Sequence, residues 1–197
     1  MTLDEMLTRV QGAIDLIRGR REVGWRRLDI SADGFWNSFL AIPLCLPPLL
    51  VIWVAHAQWL AASGAEFGVG SAVLSMMVIE LASWVLSVAL IFLMARLLSF
   101  SERAVPTVIA ANWASVVFAF VQAIPSVLAL LFGTGDGLGF ISLVVLIGVL
   151  VALWRLLAAA LERPAPTVGA LFVASLVLGY AFTSAARSAL GLMPDVA

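Results

Sequence analysis

The fold of this chain is decided by residues 72–98, which read AVLSMMVIELASWVLSVALIFLMARLL. Glu80 and Arg96 are the charged residues of this stretch, and most of the others are aliphatic. About 20 predominantly apolar residues are enough for an α-helix to cross the hydrocarbon layer of a membrane. Residues 72–98 therefore predict a transmembrane helix.

Further apolar stretches of similar length lie on both sides of this one, at about Phe35–Ala61, Pro106–Phe132, Phe140–Ala160 and Val168–Leu190. Hydrophobic residues make up 63% of the 197 residues, charged residues only 12%, and the mean hydropathy is +1.10. A typical soluble domain has about 25% charged residues, so water could not solvate the surface of this chain. The sequence predicts an all-α polytopic membrane protein with five transmembrane helices.

The arginines predict the orientation of these helices. The chain has eleven arginines and no lysine, and all but Arg187 precede the first span or flank the second-to-third and fourth-to-fifth connections. Basic residues are enriched in the cytoplasmic loops of membrane proteins. We therefore expect the N-terminus in the cytoplasm and the C-terminus outside. The absence of lysine, with abundant alanine, leucine and valine, indicates a GC-rich genome and hence a bacterial inner membrane.

The N-terminal segment combines an amphipathic helix with a basic cluster. Apolar residues recur at helical spacing from Leu3 to Ile17, and Thr2 with Glu5 fits a capping box. The residues predicted to contact anionic lipid headgroups or a protein partner are Arg18, Arg20, Arg21, Trp25, Arg26 and Arg27. The alternative is that these arginines only set the topology.

Three regions follow from this pattern. Residues 1–34 form a basic, amphipathic cytoplasmic segment, which we expect to be retained because it lacks the uninterrupted apolar core of a signal peptide. Residues 35–190 form the five-helix transmembrane domain. Residues 191–197 form a short extracytoplasmic tail.

Prolines predict a distortion in the first span. Pro43, Pro47 and Pro48 lie in its cytoplasmic half, where missing amide donors and ring clashes must bend or break the helix. Pro125 predicts a similar kink in the third span, and Ser31 is the predicted N-cap before the first. We interpret the first kink as structural, the alternative being a break that exposes carbonyl groups to an ion or substrate.

Glu80 and Gln122 are the intramembrane polar candidates. A rise of about 1.5 Å per residue puts Glu80 about 12 Å below the outer surface and Gln122 at about 15 Å, so the two could share a hydrogen bond. Glu80 could be a neutral group that only joins helices, or part of a proton relay or cation site. A cavity that reaches Glu80 would favour transport, and a closed bundle would argue against it.

Other polar residues have ordinary placements in this sequence. His56 falls near the outer end of the first span beside Trp53 and Trp59, and Asn112 lies toward the inner surface. Small residues at every fourth position predict helix contact faces; these are Ser83 and Ser87 on the second span and Ser175, Gly179 and Thr183 on the fifth.

Catalysis is disfavoured by the residues that are missing. One histidine and one cysteine, Cys45, cannot make the usual zinc site, so we expect no catalytic residue, no bound metal and no cofactor. The Gly-rich stretch Gly133–Gly139 lacks a following lysine and predicts a hairpin connection rather than a phosphate-binding loop. The net charge of −1 argues against nucleic acid as a partner.

A basic amphipathic N-terminal segment followed by five compact spans resembles the layout of Yip1-type membrane proteins. The segments Asp29-Ile-Ser-Ala-Asp-Gly-Phe-Trp36 and Val108-Ile-Ala-Ala-Asn-Trp113 also look like those of uncharacterised proteobacterial membrane proteins. The resemblance implies a multi-pass membrane protein. The Asp-Leu-Tyr-Gly-Pro type of motif of the eukaryotic Yip1 members is absent here, so no functional residue is carried over.

Two functions are compatible with the sequence. The first, which we favour at this point, is a non-enzymatic integral membrane protein that organises the membrane or binds partners through its basic cytoplasmic segment. The second is a small oligomeric transporter or channel that uses Glu80 within the bilayer. The expected partners are a bilayer with anionic headgroups and either a protein partner or further copies of this chain.

Overall fold

The computed structural model describes residues 1–62, 68–133 and 135–192. This part of the chain is helical and contains no strand. The helices are α1 Leu3–Ile17, α2 Arg21–Arg27, α3 Ala32–Ser38, α4 Ala41–Ala62, α5 Val69–Leu97, α6 Ser101–Phe132, α7 Asp136–Leu161 and α8 Ala165–Ala189.

Five of these units are long and apolar enough to cross a membrane: α3 with α4, then α5, α6, α7 and α8. Their outer surfaces remain apolar, since large side chains such as Val85, Phe140 and Val177 are 62–71% exposed. Lipid tails are the solvent that such a surface requires. The structure confirms the prediction of an all-α multi-pass membrane protein with a preceding N-terminal helix.

The first span is broken at Phe39 and Leu40, between α3 and α4. Ser31 caps α3, since its hydroxyl accepts a hydrogen bond from the Gly34 amide at 3.1 Å. The break follows from Pro43, whose ring would clash with the carbonyl of Phe39 four residues earlier in a continuous helix. Helix α4 then continues through Pro47 and Pro48, and α6 continues through Pro125. The predicted non-helical step is therefore confirmed, but it lies just before the prolines.

The N-terminal helices pack onto the end of the bundle. The predicted capping box of α1 is confirmed, because the Thr2 amide donates to the Glu5 carboxylate and the Glu5 amide donates to the Thr2 hydroxyl. Ala13 and Leu16 on the apolar face of α1 are fully buried, in one core cluster with residues of α6 and α7 that include Ile109, Trp113 and Leu156. The bundle itself therefore covers this part of the apolar face.

Helices α1 and α2 approach each other closely at two glycines. A Cβ atom on Gly24 would lie 2.7 Å from Leu16 Cδ2 and 2.9 Å from the Gly12 carbonyl oxygen. Real Cβ atoms do not approach other atoms so closely. The absence of a side chain at Gly24 is therefore what lets α2 fold back against α1.

Arginine–glutamate pairs join two connections at the same end of the bundle. Arg103 at the start of α6 pairs with Glu162 after α7, and Arg163 pairs with Glu102. We call this end, formed by α1, α2 and the α5–α6 and α7–α8 connections, the basic face. The other end, where α4 and α8 terminate and α6 connects to α7, is the opposite face.

The chain turns back toward the bundle after α8. Leu192 is buried in a cluster with Trp53, Ala57, Leu60 and Ala72 at the opposite face. The predicted tail thus begins within the packed structure, and residues 193–197 of that tail lie outside the described residues.

Candidate functional site

A cavity of about 690 Å³ occupies the half of the bundle toward the opposite face. Every one of the five spans contributes to its wall. Its polar and ionisable lining residues are Cys45 and His56 of α4, Glu80 of α5, Ser115, Gln122 and Ser126 of α6, Ser142 of α7 and Arg187 of α8. Apolar and aromatic side chains, among them Trp53 and Trp84, complete the wall.

Glu80 lies on this cavity, partly shielded from solvent. Gln122 lines the same cavity, at a depth similar to that of Glu80, but no hydrogen bond joins the two residues. Within residues 1–62, 68–133 and 135–192, the Glu80 carboxylate has no hydrogen bond and no ion pair within 4 Å. The hydrogen bond that the two depths permit is therefore not formed in this structure.

Arg187 was the exception to the arginine pattern, and α8 carries it to the wall of the same cavity. Glu80, His56 and Arg187, from three different helices, all line this cavity. The Nε atom of Arg187 is buried and has no hydrogen-bond partner among the described residues. An unpaired guanidinium nitrogen beneath the surface costs free energy, so its retention points to a ligand or solvent that satisfies it.

His56 occupies the cavity wall rather than only the membrane interface. Its ring stacks on that of Trp59, with centroids 5.5 Å apart and an interplanar angle of 28°. The Nε2 atom of His56 is buried and, in the described part of the chain, unpartnered. Two nitrogens with unused hydrogen-bonding capacity, on α4 and α8, thus belong to residues of one cavity.

A second cavity of about 300 Å³ extends from the first toward the basic face. The two cavities share Glu80, Trp84, Ser115 and Phe118. The second is also lined by Asn112 and by serines of the predicted α5–α8 contact face, Ser83, Ser87 and Ser175. Glu80 therefore lies between the larger cavity and the smaller one toward the basic face, which we call the inner cavity.

A buried hydrogen-bond chain includes two residues of the wall of the second cavity, Trp84 and Asn112. The Trp84 indole Nε1 donates to Asn112 Oδ1 at 3.0 Å, and Asn112 Nδ2 donates to the Ser38 hydroxyl at 2.9 Å. This chain links α3, α5 and α6. No residue of α1 or α2 lines either cavity, so the N-terminal helices lie outside both.

The predicted basic surface divides into engaged and free residues. Arg27 donates to the buried Asp15 carboxylate at 2.5 Å, and Arg20 lies 3.9 Å from the same group. Arg21 donates to the Ala158 carbonyl at 3.3 Å, which fastens α2 to α7.

The other members of the predicted surface are less engaged. Trp25 is half-buried against the α1 core, with an indole nitrogen that has no partner in the described structure. Arg18 and Arg26 are exposed, and their side chains form neither hydrogen bonds nor ion pairs with the described residues. Much of the basic cluster therefore stabilises the fold, which leaves Arg18 and Arg26 as its freely available charges.

Sequence reasoning identified Glu80 and Gln122 but missed His56, Arg187 and Asn112. The isolation of Arg187 at the outer end of the last span was a usable signal, because a charge that departs from the topological pattern needs another explanation. For His56 and Asn112 the sequence carried no comparable signal. No group of three His, Cys, Asp or Glu residues in the described part of the chain is arranged to hold a metal ion.

Comparison with protein-family models, with curated proteins and with solved structures finds no match to this chain.

Proposed function

We propose that this chain is a small transporter or channel that binds a polar solute in the central cavity and uses Glu80 within the bilayer. One observation carries the proposal: all five spans line one cavity, and Glu80, His56 and Arg187 all belong to its wall. Ionisable groups at this depth are costly and mark solute or proton pathways in membrane proteins. A bundle that only organised the membrane would have no need of them.

The position of Glu80 between the two cavities supports a role in passage. A solute that enters from the opposite face reaches Glu80 before the inner cavity, which continues past Trp84 and Asn112 toward the basic face.

The proposal includes an orientation and a location. With ten arginines toward the basic face, the positive-inside rule puts α1 and α2 in the cytoplasm and the cavity mouth outside, in a bacterial inner membrane. A single copy supplies every residue of the cavity wall. Association into an oligomer is compatible with this arrangement but is not needed to build the cavity.

Flux measurements in liposomes test the proposal. The purified full chain would be reconstituted with a pH-sensitive dye inside, and proton movement would be recorded under an imposed potential, with and without pools of amino acids, carboxylates, amines and inorganic cations. We expect flux above that of empty liposomes, lost in Glu80→Gln and kept in Glu22→Gln, whose site on α2 is exposed. Wild-type flux equal to that of empty liposomes in every pool would overturn the proposal.

A second function is favoured by the free part of the basic face. Arg18 and Arg26 are exposed and unpaired, and Leu3, Leu7 and Trp36 are exposed apolar side chains in the same N-terminal region. Arginines beside apolar side chains suit a surface that meets anionic headgroups or a partner protein. The membrane-organising, partner-binding role expected from the basic N-terminal segment is therefore retained as the second proposal.

A further inference from the structure

We infer that the central cavity binds a small zwitterion, with a carboxylate of the ligand at Arg187 and His56 and an ammonium group at Glu80. This inference rests on the proposed function, because it names the class of solute that the cavity takes. An amino acid is the simplest molecule of this class.

Two residues of the cavity wall have nitrogen atoms with unused hydrogen-bonding capacity. Arg187 Nε and His56 Nε2 are both buried, and neither has a partner among the described residues. Guanidinium and imidazole nitrogens together are well suited to an oxyanion, since arginine can donate to both oxygens of a carboxylate. We therefore place the carboxylate of the ligand where α4 and α8 line the cavity.

The charged side chains of the wall indicate which charges the ligand carries. Among the described residues, Glu80 is the acidic and Arg187 the basic side chain of the cavity wall, and no ion pair of 4 Å or less joins them. A purely anionic ligand would neutralise Arg187 and repel Glu80, and a purely cationic one would do the reverse. A zwitterion neutralises both, and buried charges are stable only when they are paired.

The size and the lining of the cavity also suit a small molecule. A volume of about 690 Å³ falls within the range of pockets that enclose small molecules, about 300–1,000 Å³. Trp53, Trp84 and Phe118 give the wall large apolar surfaces beside the charged groups. Such a wall accommodates a ligand with an apolar side chain as well as two charged ends.

The experiment measures thermal unfolding of the full chain in detergent with three matched sets of probes. The zwitterions are the twenty standard amino acids, leucine included. For each amino acid, the matched carboxylate is the same molecule without the amine and the matched amine is the same molecule without the carboxylate. For leucine these are 4-methylpentanoate and 3-methylbutylamine. We expect at least one amino acid to raise the unfolding temperature, and its matched carboxylate and amine to bind at least about tenfold more weakly.

Two variants assign the ends of the ligand. Arg187→Gln should abolish stabilisation by the amino acid, and Glu80→Gln should remove the preference for the amino acid over its matched carboxylate. Arg96→Gln and Glu22→Gln are the controls, because both sites are exposed and outside the cavity. If the cavity variants do not fold, the comparison of probes on the wild-type chain still decides the outcome.

Equal stabilisation by an amino acid and its matched carboxylate or amine would overturn the inference, and so would the absence of stabilisation by any amino acid. Glu80-dependent flux without a preference for zwitterions would overturn the inference and leave the transport proposal standing. Binding of amino acids without flux of any pool would overturn transport and leave the assignment of the ligand.

Discussion

The indole of Trp84 donates a hydrogen bond of 3.0 Å to Asn112, and Asn112 donates in turn to the Ser38 hydroxyl at 2.9 Å. Asn112 is only 3% exposed, so its amide has no access to bulk water. One buried side chain therefore fixes the relative positions of α3, α5 and α6 beside the inner cavity.

Replacing this amide should destabilise the bundle. Asn112→Ala removes both hydrogen bonds and leaves the Trp84 indole nitrogen without an acceptor, which should cost about 1–3 kcal/mol. Unfolding of the full chain in mixed micelles of increasing SDS content would measure the loss. Asn37→Ala, at an exposed site on α3, is the matched control and should change the free energy of unfolding by less than about 0.5 kcal/mol. Equal stability of the two variants would contradict the structural role of Asn112.

Asp15 should contribute more to stability than Arg20, the more distant of its two arginine partners. Its side chain is 1% exposed and accepts the 2.5 Å hydrogen bond from Arg27. Asp15→Asn loses a charge-assisted hydrogen bond and should cost about 1–3 kcal/mol, measured by the same SDS titration. The control is Arg20→Gln, because Arg20 is 66% exposed and 3.9 Å away, where an ion pair contributes about 0–1 kcal/mol. A smaller effect for Asp15→Asn than for Arg20→Gln would refute this ranking.

Gly34 should tolerate no side chain. A Cβ atom at this position would lie 2.0 Å from the carbonyl oxygen of Asp29, which belongs to the backbone and cannot rotate away. Gly34→Ala should therefore displace the start of α3 and cost about 1–3 kcal/mol or more. Gly148→Ala on α7 is the control, since a Cβ atom there meets nothing within 4 Å. The idea fails if the two variants unfold at the same SDS fraction.

The free arginines of the basic face should recognise anionic lipid. Arg18 and Arg155 line a shallow groove of about 270 Å³, and Arg26 is exposed on α2. Phosphatidylglycerol should therefore stabilise the wild-type chain more than phosphatidylcholine does. Arg18→Gln combined with Arg26→Gln should lower that difference by about 1 kcal/mol per arginine, because each loses its attraction to the anionic surface. An undiminished difference in the double variant would exclude these two residues as the lipid contact.

The class of the protein and the residues of each span were predictable from the amino-acid sequence. Hydrophobic runs long enough to cross a bilayer are a local property, so the five helices agree with their predicted ranges to within about six residues. The capping box at Thr2 and Glu5 and the break before Pro43 were also predictable, because each depends on residues at most four positions apart.

The surroundings of the polar residues, in contrast, depend on how the helices pack in the tertiary structure. It brought Arg187 of α8 and His56 of α4 to the cavity of Glu80, although they are more than a hundred positions apart in the chain. It also packed the apolar face of α1 onto α6 and α7, where the arginines beside it pair with Asp15 and backbone carbonyls. The physical reason is that helix periodicity indicates which face is apolar or polar, whereas the groups that face each other depend on how separate helices rotate and pack.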